Sequence, residues 1–178
     1  METTTNKMSP YATQFFNKLS IYLDTKIYYY GSIQRADYFP EYSDIDVDIF
    51  TDTESGTISK LQHFLGVPKK DFRKFVYKLH ETGEMVHGYK VKYADIKNKF
   101  AIEISIYNEK YKENVLREHN SKSVLPFYVT ILLIILKTFY YSLGILPEPV
   151  YDYFKVFIMN YLVEGKDVEF VVIDIKKE

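Results

Sequence analysis

The residues of this chain whose types and spacing suit chemistry are mostly acids. Asp44 and Asp46 stand two apart in a segment that alternates with Ile45, Val47 and Ile49. In a strand that alternation puts the carboxylates on one face and the aliphatic side chains on the other. Two carboxylates so placed are hard oxygen donors able to share divalent cations, and Mg²⁺ selects such donors together with phosphate oxygens. Glu103 sits between Ile102 and Ile104 in a second alternating segment. On a neighbouring strand it would complete a pair of metal sites, one activating an attacking hydroxyl and the other holding a leaving pyrophosphate. Gly31 and Ser32 end a β-rich stretch from Lys26 to Tyr30. A glycine there lets backbone approach a phosphate without a Cβ in the way, and the serine offers N–H and hydroxyl donors. Asp48 shares the acids' face, where it either tunes the site or is solvated.

The elements that must position these residues follow from periodicity and punctuation. Ser9-Pro10 is a hydroxyl cap followed by proline, which starts a helix running to about Asp24. The stretch 33–43, with Pro40, reads as a short helix or loop before the acidic strand 44–50. Helical patterns follow over 58–65 and 71–79, with Gly83 as their stop. Strands are predicted over 85–96 and 100–107, then helices over 109–119, 124–143 (closed by Gly144) and 148–162, and a last strand over 167–175.

Length and composition bound the rest. With 178 residues, 47% of them hydrophobic, the chain suffices for one full domain. A net charge of -1 excludes a global basic field, so any nucleic-acid binding must rest on a local patch. With no cysteine, thiolate metal sites and cysteine nucleophiles are excluded, and the four histidines show no metal-binding spacing. The polar first residues lack a signal peptide's apolar run, so a soluble cytoplasmic protein is expected. The apolar stretch 124–146 carries Lys137 near its centre, which would cost ~3 kcal/mol in a bilayer. It reads as a buried core helix and not as a membrane span.

The segment YYYGSIQRADYFPEYSDIDVDIF (28–50), taken with Glu103, resembles the signature of the DNA polymerase beta-like nucleotidyltransferase superfamily: an apolar strand, Gly-Ser, a spacer of about ten residues, an Asp-x-Asp strand and a distant third carboxylate. The match covers 27–50 and 100–107. The resemblance implies that Gly31 and Ser32 bind the triphosphate of an NTP, ATP foremost. It implies that Asp44 and Asp46 ligate two Mg²⁺ ions, with Mn²⁺ as an alternative, and that Glu103 completes the nucleophile-side metal and helps deprotonate the acceptor hydroxyl. Arg35 falls where several members have an arginine after Gly-Ser, although Ala36 stands where a glycine often follows. The segment around Lys137 is similar to the Leu-Lys helix of RNA-extending polymerases, which implies that Lys137 reaches the incoming triphosphate. A lysine that only extends its stem to solvent is the plainer alternative. Where those enzymes carry a serine-containing turn, this chain has LPEPVYDY.

The expected fold is α/β (α+β), a mixed, mostly antiparallel sheet carrying the acids, with helices on its other face. Residues 1–108 form the expected catalytic core, and 109–178 a helical subdomain completing the nucleotide cleft. The expected reaction moves a nucleoside monophosphate from an NTP to a hydroxyl, an RNA 3′-end first. Nucleotidylation of a protein or small molecule, cyclic-dinucleotide synthesis and a non-catalytic nucleotide-binding module are the alternatives.

Overall fold

A computed structural model of the chain describes residues 1–163 and, for the backbone, 170–173. Helix α1 (Pro10–Leu23) starts where the Ser9 hydroxyl accepts from the Ala12 N–H at 3.1 Å, and it ends at Asp24 in the left-handed conformation. Strand β1 (Tyr28–Tyr30) leads through a single 3₁₀ turn, Gly31–Gln34, and a loop into β2 (Ile45–Thr51). Helix α2 (Glu54–Leu65) follows, then β3 (Arg73–Lys78), β4 (Met85–Asp95) and β5 (Phe100–Asn108). Helices α3 (Lys112–Ser121), α4 (Phe127–Lys137) and α5 (Glu148–Phe157) come next, the last two each running on into a wider π-type turn. Strand β6 (Phe170–Ile173) closes the sheet, and the other residues of the predicted strand 167–175 lie outside those described.

The sheet order is β1-β2-β5-β4-β3-β6, with only β2 and β5 parallel, so the expected mixed, mostly antiparallel sheet is what forms. Its register sets Tyr30 opposite Asp46 and Asp46 opposite Glu103. Ile45, Val47, Ile49, Ile102, Ile104 and Ile106 form one face, buried under Phe16 and Leu19 of α1 and Ile58 and Leu61 of α2.

Three expectations need correction. Residues 71–79 do not form a helix. Phe75, Tyr77 and Leu79 are buried in alternation, as β3 requires, while Phe72, Phe75, Val76 and Leu79 happen also to fit a helical spacing. Gly83 accordingly belongs to the β3–β4 hairpin, at φ +68°. Second, helices do not avoid the acids' face. Val115 of α3 packs with Tyr28, Phe50, Phe75, Tyr77 and Tyr107 in a second core on that face. Asp48 is thereby fully buried and not solvated. Third, α4 is not buried all round. Val129, Leu133 and Leu136 pack against Tyr151 and Ile158, while Phe127 and Ile131 on its opposite side are exposed. Among the described residues no helix is long and apolar enough to cross a membrane.

Burial of Asp48 makes His119 its support. His119 Nδ1 lies 2.7 Å from Asp48 Oδ2, its ring stacks on Tyr30 at 4.0 Å, and Asp48 Oδ1 has no hydrogen-bond partner among the described residues. Removing one member of a buried polar pair strands the other. His119→Leu should therefore lower unfolding free energy by roughly 3 kcal/mol, and adding Asp48→Leu should restore most of it. Denaturant titration of the single and double variants checks this. Equal stability in the two would mean that the pair does not hold α3 to the sheet.

Candidate active site

Gly31 leaves β1 with φ +72°, a left-handed conformation that suits glycine. A Cβ at this position would collide with the Asp46 carboxylate. Glycine is thus required first by the acid packed against it, a reason beyond phosphate access. The turn is clamped from below by residues that the sequence presented only as a polar leader. Asn6 Nδ2 donates to the carbonyls of Ile33 at 3.0 Å and Arg35 at 2.7 Å. Buried Gln34 donates to Thr3 O at 2.7 Å and accepts from the Thr5 N–H at 2.9 Å.

Gly31, Ser32, Arg35, Asp44 and Asp46 line one wall of a cleft of about 180 Å³, and Lys137, Tyr141, Tyr151 and Lys155 line the other. Six of the seven residues singled out from the sequence therefore meet here; Glu103 is the exception. Two of the six are already engaged. Arg35 pairs bidentately with the buried Asp37, Nε to Oδ1 at 2.8 Å and Nη2 to Oδ2 at 3.2 Å. Lys137 is buried, does not extend to solvent, and donates to Asp37 Oδ2 at 2.9 Å and to Asp37 O at 2.7 Å. Burial alone would raise the Asp37 pKa, but Arg35 and Lys137 hold it below the usual carboxylate range. For Lys137 burial wins, and its pKa is lowered despite Asp37.

Two residues that periodicity did not flag matter as much. Asp37 is the anchor just described. Lys155 on α5 lines the cleft 5.9 Å above the Tyr151 ring, makes no ion pair among the described residues, and acts electrostatically on Asp46. Spacing from the helix start at Pro147 puts Tyr151 and Lys155 on one face, which is the available signal. Tyr153, three-fifths or more exposed, does not reach the cleft.

Glu103 stands beside Asp46 across the β2–β5 pair but opens into a neighbouring groove, where Lys90 Nζ lies 2.7 Å and Lys92 Nζ 3.2 Å from its carboxylate oxygens. Burial pushes the Glu103 pKa up, yet the two lysines outweigh it and keep the carboxyl below its ordinary value. Asp46 is driven the other way, well above the carboxylate range, by burial first and then by the charges of Asp44 and Glu103. Crowded oxygen donors that repel one another are what a hard cation relieves, so Asp44 and Asp46 fit a divalent metal ion. Among the described residues no three acids or histidines are gathered as a ready cage, and Glu103 would have to leave its lysines to join one.

Gly31→Ala should leave the chain folded, at about 1–2 kcal/mol of backbone strain, and should push the Asp46 carboxylate aside. Mn²⁺ affinity measured by titration should fall tenfold or more, and an unchanged affinity would refute the packing argument. Lys137→Met should lower stability by about 2–3 kcal/mol at neutral pH, because Asp37 loses a buried partner. A depressed carboxyl pKa contributes stability that is present above the ordinary value and lost as pH falls through the folded one. The gap between wild type and Lys137→Met should therefore narrow below about pH 4 in melts across pH; a gap constant down to pH 2 would exclude the ion pair as its source.

No curated protein and no solved structure matches the chain. A family model described as nucleotidyltransferase domain matches residues 13–162, spanning β1 to α5 and with them both walls of the cleft. The mixed sheet and its packed helices are thus consistent with a DNA polymerase beta-like fold, and the chain belongs to the nucleotidyltransferase domain family.

Proposed function

We propose that this protein is an Mg²⁺-dependent transferase that moves a nucleoside monophosphate from an NTP, ATP foremost, to a hydroxyl acceptor. The observation that carries the reading is the cleft itself, with a glycine turn and two carboxylates on one wall facing a lysine and tyrosines on the other. The triphosphate lies between the Gly31-Ser32 turn and Lys155. Lys155, uncommitted among the described residues, takes the contact that the resemblance implies for Lys137, whose ammonium Asp37 occupies. Tyr141 and Tyr151 form the apolar wall beside it.

In the reaction the acceptor oxygen bonds to the α-phosphorus, the bond from that phosphorus to the bridging oxygen of the β-phosphate breaks, and pyrophosphate leaves. Asp44 and Asp46, with Glu103, would hold Mg²⁺, which would supply charge neutralisation for the transferring and departing phosphates. Glu103, kept ionised by its lysines, accepts the hydroxyl's hydrogen bond, takes its proton and passes it to solvent. Ser32 orients the phosphates by hydrogen bonding.

Incubation of the pure protein with Mg²⁺, labelled NTPs and a panel of acceptors tests this. Wild type should transfer label and release pyrophosphate. Asp44→Asn and Asp46→Asn should lose roughly a hundredfold or more of the rate. Their melting temperatures should hold or rise, because like charges are removed from one face. Near wild-type turnover in both variants would overturn the assignment.

A further inference from the structure

Helix α4 is apolar on two sides, and the described residues cover only one of them. Val129, Leu133 and Leu136 turn inward onto Tyr151 and Ile158, and Lys137 turns inward with them to Asp37. On the opposite side Phe127, Tyr128, Ile131, Leu132 and Ile135 are exposed, and Phe139 in the following turn extends the row. Phe127 is 78% exposed, Ile131 50% and Val124, just before the helix, 82%. With ~150–200 Å² for each such side chain in full, the row leaves about 700 Å² of apolar surface uncovered. The largest apolar patch of an ordinary monomer is about 300–600 Å², and each partner of a standard protein–protein interface contributes about 800 Å². The row therefore has the size of an interface, and a helix apolar all round belongs inside an assembly.

We infer that the exposed row of α4 is a homodimer interface, on which a second copy of this chain lays its own α4 about a two-fold axis. Charge selects among the occupants. From Ser123 to Pro147 the single charged side chain is Lys137, and it is buried on the inward side. A helix that lies on a membrane surface carries lysines and arginines beside its apolar face, and a nucleic-acid site needs cations; the row has none. A charged partner protein finds nothing on it to pair with. A two-fold axis sets each residue near its own counterpart, so a self-pairing surface must tolerate like against like. Uncharged side chains do. Shape agrees with charge. Phe127, Ile131, Ile135 and Phe139 stand four apart and Tyr128 and Leu132 run alongside, so the outer face is built of four-residue ridges. Two copies of such a face interlock, ridge into groove, at a crossing of about 50°. Ile131 and Ile135, in the middle of the row, fall nearest the axis. The cleft opens on the inward side of α4, where Leu133 and Lys137 line it, so pairing of the outer faces leaves both clefts accessible. The inference is independent of the transfer reaction proposed above.

Analytical ultracentrifugation of the full chain from about 1 to 100 μM tests this. Wild type should reach twice the 21.1 kDa chain mass, and its Tm should rise with concentration. Ile131→Glu/Ile135→Glu should weaken self-association roughly a hundredfold or more, with the far-UV circular dichroism of the chain unchanged, because both positions are exposed in the single copy. Ile131→Lys/Ile135→Lys should likewise be monomeric alone, and mixing the two variants should restore a dimer, as only a self-pairing face allows. The chain has no cysteine, so a single introduced thiol gives a readout without added charge. Mild oxidation of either Ile131→Cys or Ile135→Cys, whichever lies on the axis, should give a disulfide-linked dimer. Ile96→Cys, 91% exposed in the turn between β4 and β5, should stay largely monomeric. A wild type that remains monomeric at the highest concentration would overturn the inference, whether it stays free or floats with phosphatidylcholine–phosphatidylserine vesicles. So would a wild-type dimer that Ile131→Glu/Ile135→Glu leaves intact, or folded glutamate and lysine variants that do not pair with each other. If either charged variant does not fold, the thiols decide, and equal cross-linking at position 96 and at the row would overturn it.

Discussion

At the centre of the molecule a carboxylate occupies the space that a side chain would otherwise take. Asp46 packs against Gly31, and that single contact constrains three strands, because Tyr30, Asp46 and Glu103 stand in one row across β1, β2 and β5. A slip of one residue in β2 would turn Ile45, Val47 and Ile49 out of the core and the aspartates into it. The aliphatic face buried under α1 and α2 therefore does more than stabilise; it fixes the phase of the acids. Position 31 must in turn be left-handed and without a Cβ, and the Asn6 and Gln34 hydrogen bonds hold the turn in that shape.

Acids gathered in this way repel each other and lose water, and the fold answers with cations from separate elements. Lys155 comes from α5 on the cleft side, and Lys90 and Lys92 come from β4 on the groove side. The opposite pKa displacements of Asp46 and Glu103 follow from that arrangement: one acid has distant partners, the other has two at hydrogen-bond range. Adjacent carboxyls thus come to have different proton affinities although they stand side by side on paired strands.

Much of this was legible from local pattern. The period-two strands around 46 and 103, the capped start of α1, the Gly-Ser turn and the mixed sheet all follow from side-chain alternation and backbone preference. The misreadings arose where a local signal was ambiguous or a partner was remote. Phe72, Phe75, Val76 and Leu79 satisfy both a helix and a strand, and only pairing with β4 and β6 decides. Asp48 looks like its neighbours in sequence, but α3 arrives 71 residues later to bury it against His119. Asp37 has no aliphatic flanks to mark it as buried, and its lysine lies 100 residues away. Lys137 stands out as a charge in an apolar helix, yet nothing within that helix tells whether its partner is a ligand, water or a protein carboxylate.

That partner explains how the two halves of the cleft keep their spacing. A buried ion pair contributes little net stability over an apolar contact of the same size, but it fixes geometry, since each charge tolerates few alternative positions. Lys137 grips both the side chain and the carbonyl of Asp37, Arg35 braces the same carboxylate, and Tyr141 packs near Phe39 and Tyr42. All of these contacts fall on the loop between Gln34 and Asp44. The loop that joins the glycine turn to the first aspartate is also the loop on which α4 and its following turn are seated. A shift of the helical wall must therefore pass through the short segment that sets the distance between the glycine turn and the acids.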